Sequence, residues 1–190
     1  MSWNSVIDFQ LFFYFENMNC KVLILFLLLI FTRNYSQKID LKELISLNNK
    51  SIGDFQEYAY GKDFLFYKTD SNPEAKVDTI RFINKQKLVF GIASGKKTNV
   101  VFLENINEDY FRELNQELNQ PDFIFAGTKI KTKNTLEKKY LNSATENVID
   151  VNIISDTEGL KNIKNTYKVM VTKESKYNFK RILNKIPNKK

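Results

Sequence analysis

The sequence predicts an α+β fold in which a helix followed by about four antiparallel strands occurs twice in tandem, with helices covering one face of the sheet. Three observations predict it. Apolar residues recur at helical spacing near 40–49, 51–61 and 107–120. Between and after these segments apolar and polar residues alternate as in strands. The two halves also agree when one is slid onto the other by 59 residues, which brings Asp63 onto Asp122. A single cone-like α+β barrel with a ligand pocket is the competing architecture.

Each element has a local reason. Asp40 with Glu43 forms a capping-box start, and Leu41, Leu44, Ile45 and Asn48 fall on one stripe of a short helix. Ser51 with Asp54 opens a second helix, striped by Ile52, Phe55 and Ala59 and ending near Gly61. Strands are expected at Phe64–Tyr67, Val77–Ile83, Leu88–Ala93 and Asn99–Leu103, with Ser94-Gly95-Lys96-Lys97 as the last hairpin turn. Asn107 caps a third helix, with Glu108 and Asp109 where negative charge suits the helix dipole. Its stripe is Phe111, Leu114 and Leu118, and Pro121 ends it. Strands at Phe123–Ala126, Thr135–Leu141, Val148–Ile154 and Tyr167–Thr172 follow, and a basic segment closes the chain.

The internal match sets the domain plan. Ile52, Phe55 and Ala59 fall on Phe111, Leu114 and Leu118, and Asp63-Phe64-Leu65-Phe66 falls on Asp122-Phe123-Ile124-Phe125. Val89, Phe90 and Ile92 meet Val148, Ile149 and Val151. The run from Thr98 meets that from Thr166 after a polar insertion around Asp156 to Asn165. The body is expected at 37–173, with one copy at about 50–105, the other at about 106–173, and a basic segment at 174–190. This plan resembles, in architecture, the β-lactamase-inhibitor-protein fold and the small outer-membrane assembly lipoproteins built from one such unit. The resemblance covers residues 40–173, carries no residue motif and therefore assigns no functional residue. It implies an exported protein that presents a sheet surface to another protein.

Export has its own signal. Val22 to Phe31 is an unbroken apolar run, too short for a span of ~20 residues but suited to the core of a signal peptide. Lys21 precedes it and Ser36 offers a small residue for cleavage before Gln37. Residues 18–36 are then the signal, Met18 the natural start and 1–17 an upstream extension; an uncleaved anchor that keeps the chain on the membrane is the alternative. Cys20 lies before the apolar run, where a lipoprotein cysteine would follow it. Cleavage removes this single cysteine and leaves the net charge at +7, because two basic and two acidic residues leave together.

Composition excludes several chemistries. With no histidine among 190 residues there is no imidazole triad, no histidine metal site and no near-neutral imidazole switch. Gly95-Lys96-Lys97-Thr98 lacks the preceding glycine of a phosphate loop and joins two strands. The same hairpin denies Ser94 and Lys97 the helical turn that a serine–lysine pair needs. Glu113 and Glu117 fall opposite their helix's apolar stripe and are expected in solvent, while Asp150 and Asp156 stand near strand ends. Asp63 and Asp122 read as turn acceptors. Asp156, Glu158 and Asn162 lack the ligand alternation and central glycine of a calcium loop. No cofactor or metal is expected. Abundant Lys, Asn, Ile and Phe mark an AT-rich coding sequence, so the positive charge argues little for nucleic acid.

Two surfaces remain. Tyr58, Tyr60, Leu65 and Tyr67 gather where the second helix meets the first strand; if that helix covers Phe64 and Phe66, alternation leaves Leu65 and Tyr67 as an apolar strip. Packing against a neighbouring strand is the ordinary alternative. At the C-terminus Phe179, Ile182, Leu183 and Ile186 recur at helical spacing, with Lys180, Arg181 and Lys185 around them. That is either a docked terminal helix with a solvated basic face or a contact for anionic lipid or another polyanion. The leading reading is an exported, non-enzymatic protein that binds another protein or an envelope component through its sheet. The alternatives are a carboxylate- or tyrosine-dependent hydrolase, which needs an acid-lined pocket, and a basic surface binder.

Overall fold

The computed structural model describes residues 38–95, 98–156 and 164–186. The expected signal peptide and upstream extension, Lys96, Lys97, Glu158, Asn162 and residues 187–190 lie outside the described residues. The compact body begins at Ile39.

Two helices come first. α1 (Leu41–Leu47) opens with the expected capping box: the Asp40 carboxylate accepts from the Glu43 N–H at 2.7 Å, and Glu43 accepts from the Asp40 N–H at 3.0 Å. α2 (Ile52–Gly61) repeats the device with Ser51 and Asp54. It stops because Asp63 enters the left-handed region at φ 59°, so that the Asp63 N–H bonds to the Tyr60 carbonyl and the Phe64 N–H to that of Ala59. Asp63 thus ends the helix through its backbone.

Strands β1 (Leu65–Asn72), β2 (Val77–Ile83), β3 (Val89–Gly95) and β4 (Asn99–Ile106) follow. The chain then forms α3 (Glu108–Leu118), β5 (Phe123–Thr132), β6 (Thr135–Asn142), β7 (Asn147–Asp156) and β8 (Lys164–Lys173), and ends in α4 (Lys176–Leu183). β1 and β5 run well past the expected strands at Phe64–Tyr67 and Phe123–Ala126. All eight strands form one antiparallel sheet in the order β1-β2-β3-β4-β8-β7-β6-β5. β4 and β8 meet in the middle and β1 and β5 are the edges, so the sheet is open and the barrel alternative is corrected.

Alternation assigns the faces. Phe82, Phe90, Ile92, Val101, Leu103, Val169, Val171, Ile149 and Val151 point to the face on which α1, α2 and α3 pack. Phe55 of α2 meets Phe90 with ring centroids 4.3 Å apart. Leu114 and Leu118 seal the second half, and Phe111 stacks on Tyr167 at 4.0 Å. Each fully buried aliphatic or aromatic side chain is worth roughly 1.5–3 kcal/mol, which is what holds three short helices to the sheet.

The opposite face is mostly polar, with one covered corner. There the Phe179, Ile182, Leu183 and Ile186 stripe of the α4 segment packs on Ile124, Ala126, Leu141 and Val148. In the centre, Phe102 lies flat over Gly91, where an added Cβ would stand 2.3 Å from Phe102 Cζ and 2.8 Å from the Ile80 carbonyl oxygen. Arg81 and Lys168 flank the Phe102 ring at 5.5 and 5.0 Å, and both pair with Glu104, at 3.7 and 2.6 Å. Among the described residues no helix is long and apolar enough to cross a membrane.

Candidate functional site

Four exposed large apolar side chains gather where the end of α2 meets the start of β1. Leu65 is 66% exposed, Phe66 53%, Tyr67 52% and Tyr60 53%. They do not share one face. Phe64 is buried against Phe90 at 5.5 Å, as expected of a residue under the helix. Phe66 is not covered; its ring meets Phe82 edge-on at 6.1 Å, and Tyr60 meets the same ring edge-on at 5.4 Å. Leu65 and Tyr67 emerge on the other side, where a bulge between Phe66 and Lys68 carries Tyr67 as the extra residue. The apolar strip therefore wraps the sheet edge. Phe66 was missed because alternation names a face but cannot say that β1 has no strand beyond it.

Tyr58 does not belong to this strip. It is half-buried, with its ring 6.1 Å from Phe90 and Lys62 Nζ 5.5 Å from its centroid. Its hydroxyl is enclosed beside the Glu43 carboxylate without ordinary hydrogen-bond geometry. Burial pushes that hydroxyl well above the usual tyrosine range, and the Glu43 charge pushes it further. Tyr58 is a packing residue of the α1–α2 junction.

Two carboxylates with shifted pKa values, Glu43 and Glu117, lie around α1. Glu117 sits at the start of α1 and accepts from the Leu41 N–H at 3.0 Å. Burial raises its pKa, and the Asp40 and Glu113 charges add to the rise, outweighing the Leu41 bond and the Lys42 charge. The expectation of a solvated Glu117 is corrected: α1 crosses α3 and encloses it. Burial also raises Glu43, but the Lys62 hydrogen bond, the neighbouring Tyr58 hydroxyl, the Asp40 N–H bond and the Lys62 charge together outweigh it and hold the carboxyl below its ordinary value. Tyr110 completes the brace. Its hydroxyl accepts from the Ile39 N–H at 2.8 Å and donates to the Ile39 carbonyl at 2.6 Å. These groups are occupied in pinning α1.

A polar cleft of about 680 Å³ lies at the far end of the sheet, between α1, the β3–β4 hairpin and the start of α4. Asn48 on its floor is oriented to donate to the Asn99 carbonyl at 2.6 Å and accept from the Lys173 N–H at 2.7 Å, while its amide lies 3.1 Å from that of buried Asn147. The floor thus ties α1 to three strand ends. Lys173 and Glu174 are the charged residues of its lining. Ser94 hydrogen-bonds Asn99 at 3.0 Å, and Asp150 pairs with Lys139 on the polar sheet face. Among the described residues no group of three or more acidic or cysteine side chains is placed to hold a metal ion.

Lys180, Arg181 and Lys185 are all exposed on or just beyond α4, whose Phe179 is buried. Tyr177, 76% exposed, stands on the same outer side as Lys180 and Arg181. The helix is docked by its apolar stripe and shows its cations to solvent. No family model, curated protein or solved structure matches the chain.

Proposed function

We propose that this protein is an exported, non-enzymatic binding module that captures another protein or an envelope component through the apolar strip at the β1 edge. The observation that carries this reading is the contiguity of Leu65, Phe66 and Tyr67, each more than half exposed, with Tyr60 beside them. Clustered large apolar side chains on a surface mark interaction sites more reliably than scattered ones. The backbone of the edge is a poor template for an added strand, because the Tyr67 bulge and Lys68 interrupt it. Recognition therefore falls to side chains. The enzymatic alternative has little support, since Glu43, Asp54, Glu117 and Tyr110 are engaged in structural bonds and Tyr58 is packed against Phe90.

The same proposal includes the tandem repeat and its likeness to the β-lactamase-inhibitor-protein plan. Support comes from paired irregularities. β1 and β5 both carry bulges, at Phe66/Lys68 and Phe125/Gly127, and the β2–β3 and β6–β7 turns both place a left-handed residue, Lys87 and Glu146, before the next strand. Export is supported by the compact body beginning at Ile39, two residues after the expected cleavage before Gln37. A mature N-terminus at Gln37 by mass spectrometry is expected; one before residue 30 contradicts it.

The binding surface is tested by placing a photo-crosslinking amino acid at Tyr67 or, as a control on the same strand, at Ser71. A discrete adduct at 67 and none at 71 supports the strip. No adduct at 67, or the same products at both positions, overturns it. A second reading, adhesion of α4 to anionic lipid, rests on the exposed Tyr177, Lys180 and Arg181. It requires salt-sensitive co-sedimentation with anionic vesicles.

A further inference from the structure

The polar face of the sheet has two corresponding corners, and the described residues place a helix over one of them. In the second half the row Thr172, Val148, Leu141, Ile124 runs from the central strand to the edge, and the α4 segment lies on it. In the first half the row Glu104, Val89, Ile83, Leu65 occupies the same place in the ladder, with Tyr67 where Ala126 stands beneath the helix. Connectivity explains the difference. β8 runs into α4, which folds back across its own half, whereas β4 runs into α3, which packs on the opposite face. Val89 is buried and Ile83 half-buried, but Leu65 and Tyr67 remain open.

The charges around the two corners have opposite sign. The β6–β7 turn presents Glu146, whose carbonyl accepts the Glu174 N–H at 3.2 Å at the foot of the basic α4. The β2–β3 turn has Lys87 at the corresponding left-handed position and Lys85 beside it, both exposed. An acidic turn borders the corner that a basic helix covers in one half. The basic turn of the other half calls for an acidic one.

We propose that the corner formed by Leu65, Tyr67 and Ile83, bordered by Lys85 and Lys87, seats an amphipathic helix of a partner protein. Its apolar stripe has the i, i+3, i+4, i+7 spacing of Phe179, Ile182, Leu183 and Ile186, and its flanks are acidic. Helix-in-groove recognition reads such anchors, and the chain itself places a helix of this stripe on the corresponding corner of its other half. This inference rests on the reading of the protein as a binding module and names the kind of partner.

The test uses two fluorescent, hydrocarbon-stapled peptides spanning Lys176–Ile186. One keeps Lys176, Lys180, Arg181 and Lys185, and the other carries Glu at all four. Each is titrated with the full-length chain by fluorescence anisotropy. The acidic peptide is expected to bind at least about tenfold more tightly than the basic one. Leu65→Asp should remove that binding while leaving the circular dichroism unchanged. The double variant Lys85→Glu/Lys87→Glu should reverse the preference. Equal binding of the two peptides, no binding of the acidic one, or indifference to Leu65→Asp overturns the helix seat. A discrete crosslink at Tyr67 together with a silent acidic peptide rejects the seat and keeps the binding module; absence of both rejects both.

Discussion

The two halves of the sheet use one ladder geometry to different ends. Around Ile124, Leu141 and Val148 the polar face is sealed by Phe179 and its helical neighbours. Around Leu65, Ile83 and Val89 the same ladder positions end in exposed side chains. Under α4 apolar side chains stabilise the fold; at equivalent places on the β1 edge they stay exposed, and the proposed binding role falls to them.

That contrast can be broken most forcefully at Phe179. Phe179→Ala should cost about 3–5 kcal/mol in urea unfolding, because it empties the apolar seat of α4. A cost below about 1 kcal/mol would mean that α4 is loosely held and the two corners alike. Gly91→Ala tests the first half beside the central strand β4. The added methyl group meets Phe102 and the rigid Ile80 carbonyl, and a loss of about 1–3 kcal/mol is expected in the same assay. Tyr110→Phe removes both hydroxyl bonds to Ile39 and should destabilise by a comparable or smaller amount, about 1–2 kcal/mol.

The carboxylates that hold α1 give a pH-dependent comparison. The raised Glu117 pKa means that the folded state favours its protonated form, so its contribution is most favourable at low pH and is lost as pH rises through the folded value. Glu43, lowered, contributes stability above the ordinary carboxylate range that is lost as pH falls through its folded value. Thermal unfolding from pH 3 to 7 should therefore show Glu43→Gln becoming more harmful as pH rises and Glu117→Gln becoming less so. Parallel profiles for the two variants would remove the distinction. The smallest effect is expected at the bare corner, where Leu65→Ala should change stability by no more than about 0.5 kcal/mol.

Much of the fold was legible because its signals are local. The capping pairs Asp40/Glu43 and Ser51/Asp54 and the Asn107 cap specify helix starts within four residues. The Phe179–Ile186 stripe announced an amphipathic helix. What it docks on was not legible, since periodicity describes one surface and not its mate. The length of β5 was missed because its second half, Gly127 to Thr132, is an exposed edge with no apolar alternation to detect. Glu117 was misjudged for a related reason: its burial comes from α1, far away in the chain. Of the exposed strip, Tyr60, Leu65 and Tyr67 were named from their place where the second helix meets the first strand and from strand alternation. The exposure of Phe66 and the half-burial of Tyr58 were not legible, because both depend on where the edge of the sheet falls.

In-cell hydroxyl-radical footprinting tests the central claim most directly, with the isolated protein as reference. Leu65 and Tyr67 should be oxidised in isolation and protected in the producing cell, while Ile130, 75% exposed on the opposite edge strand, stays reactive in both. Equal oxidation of Tyr67 in the two settings, or protection at Ile130 instead, would contradict the assignment of the β1 corner as the binding surface.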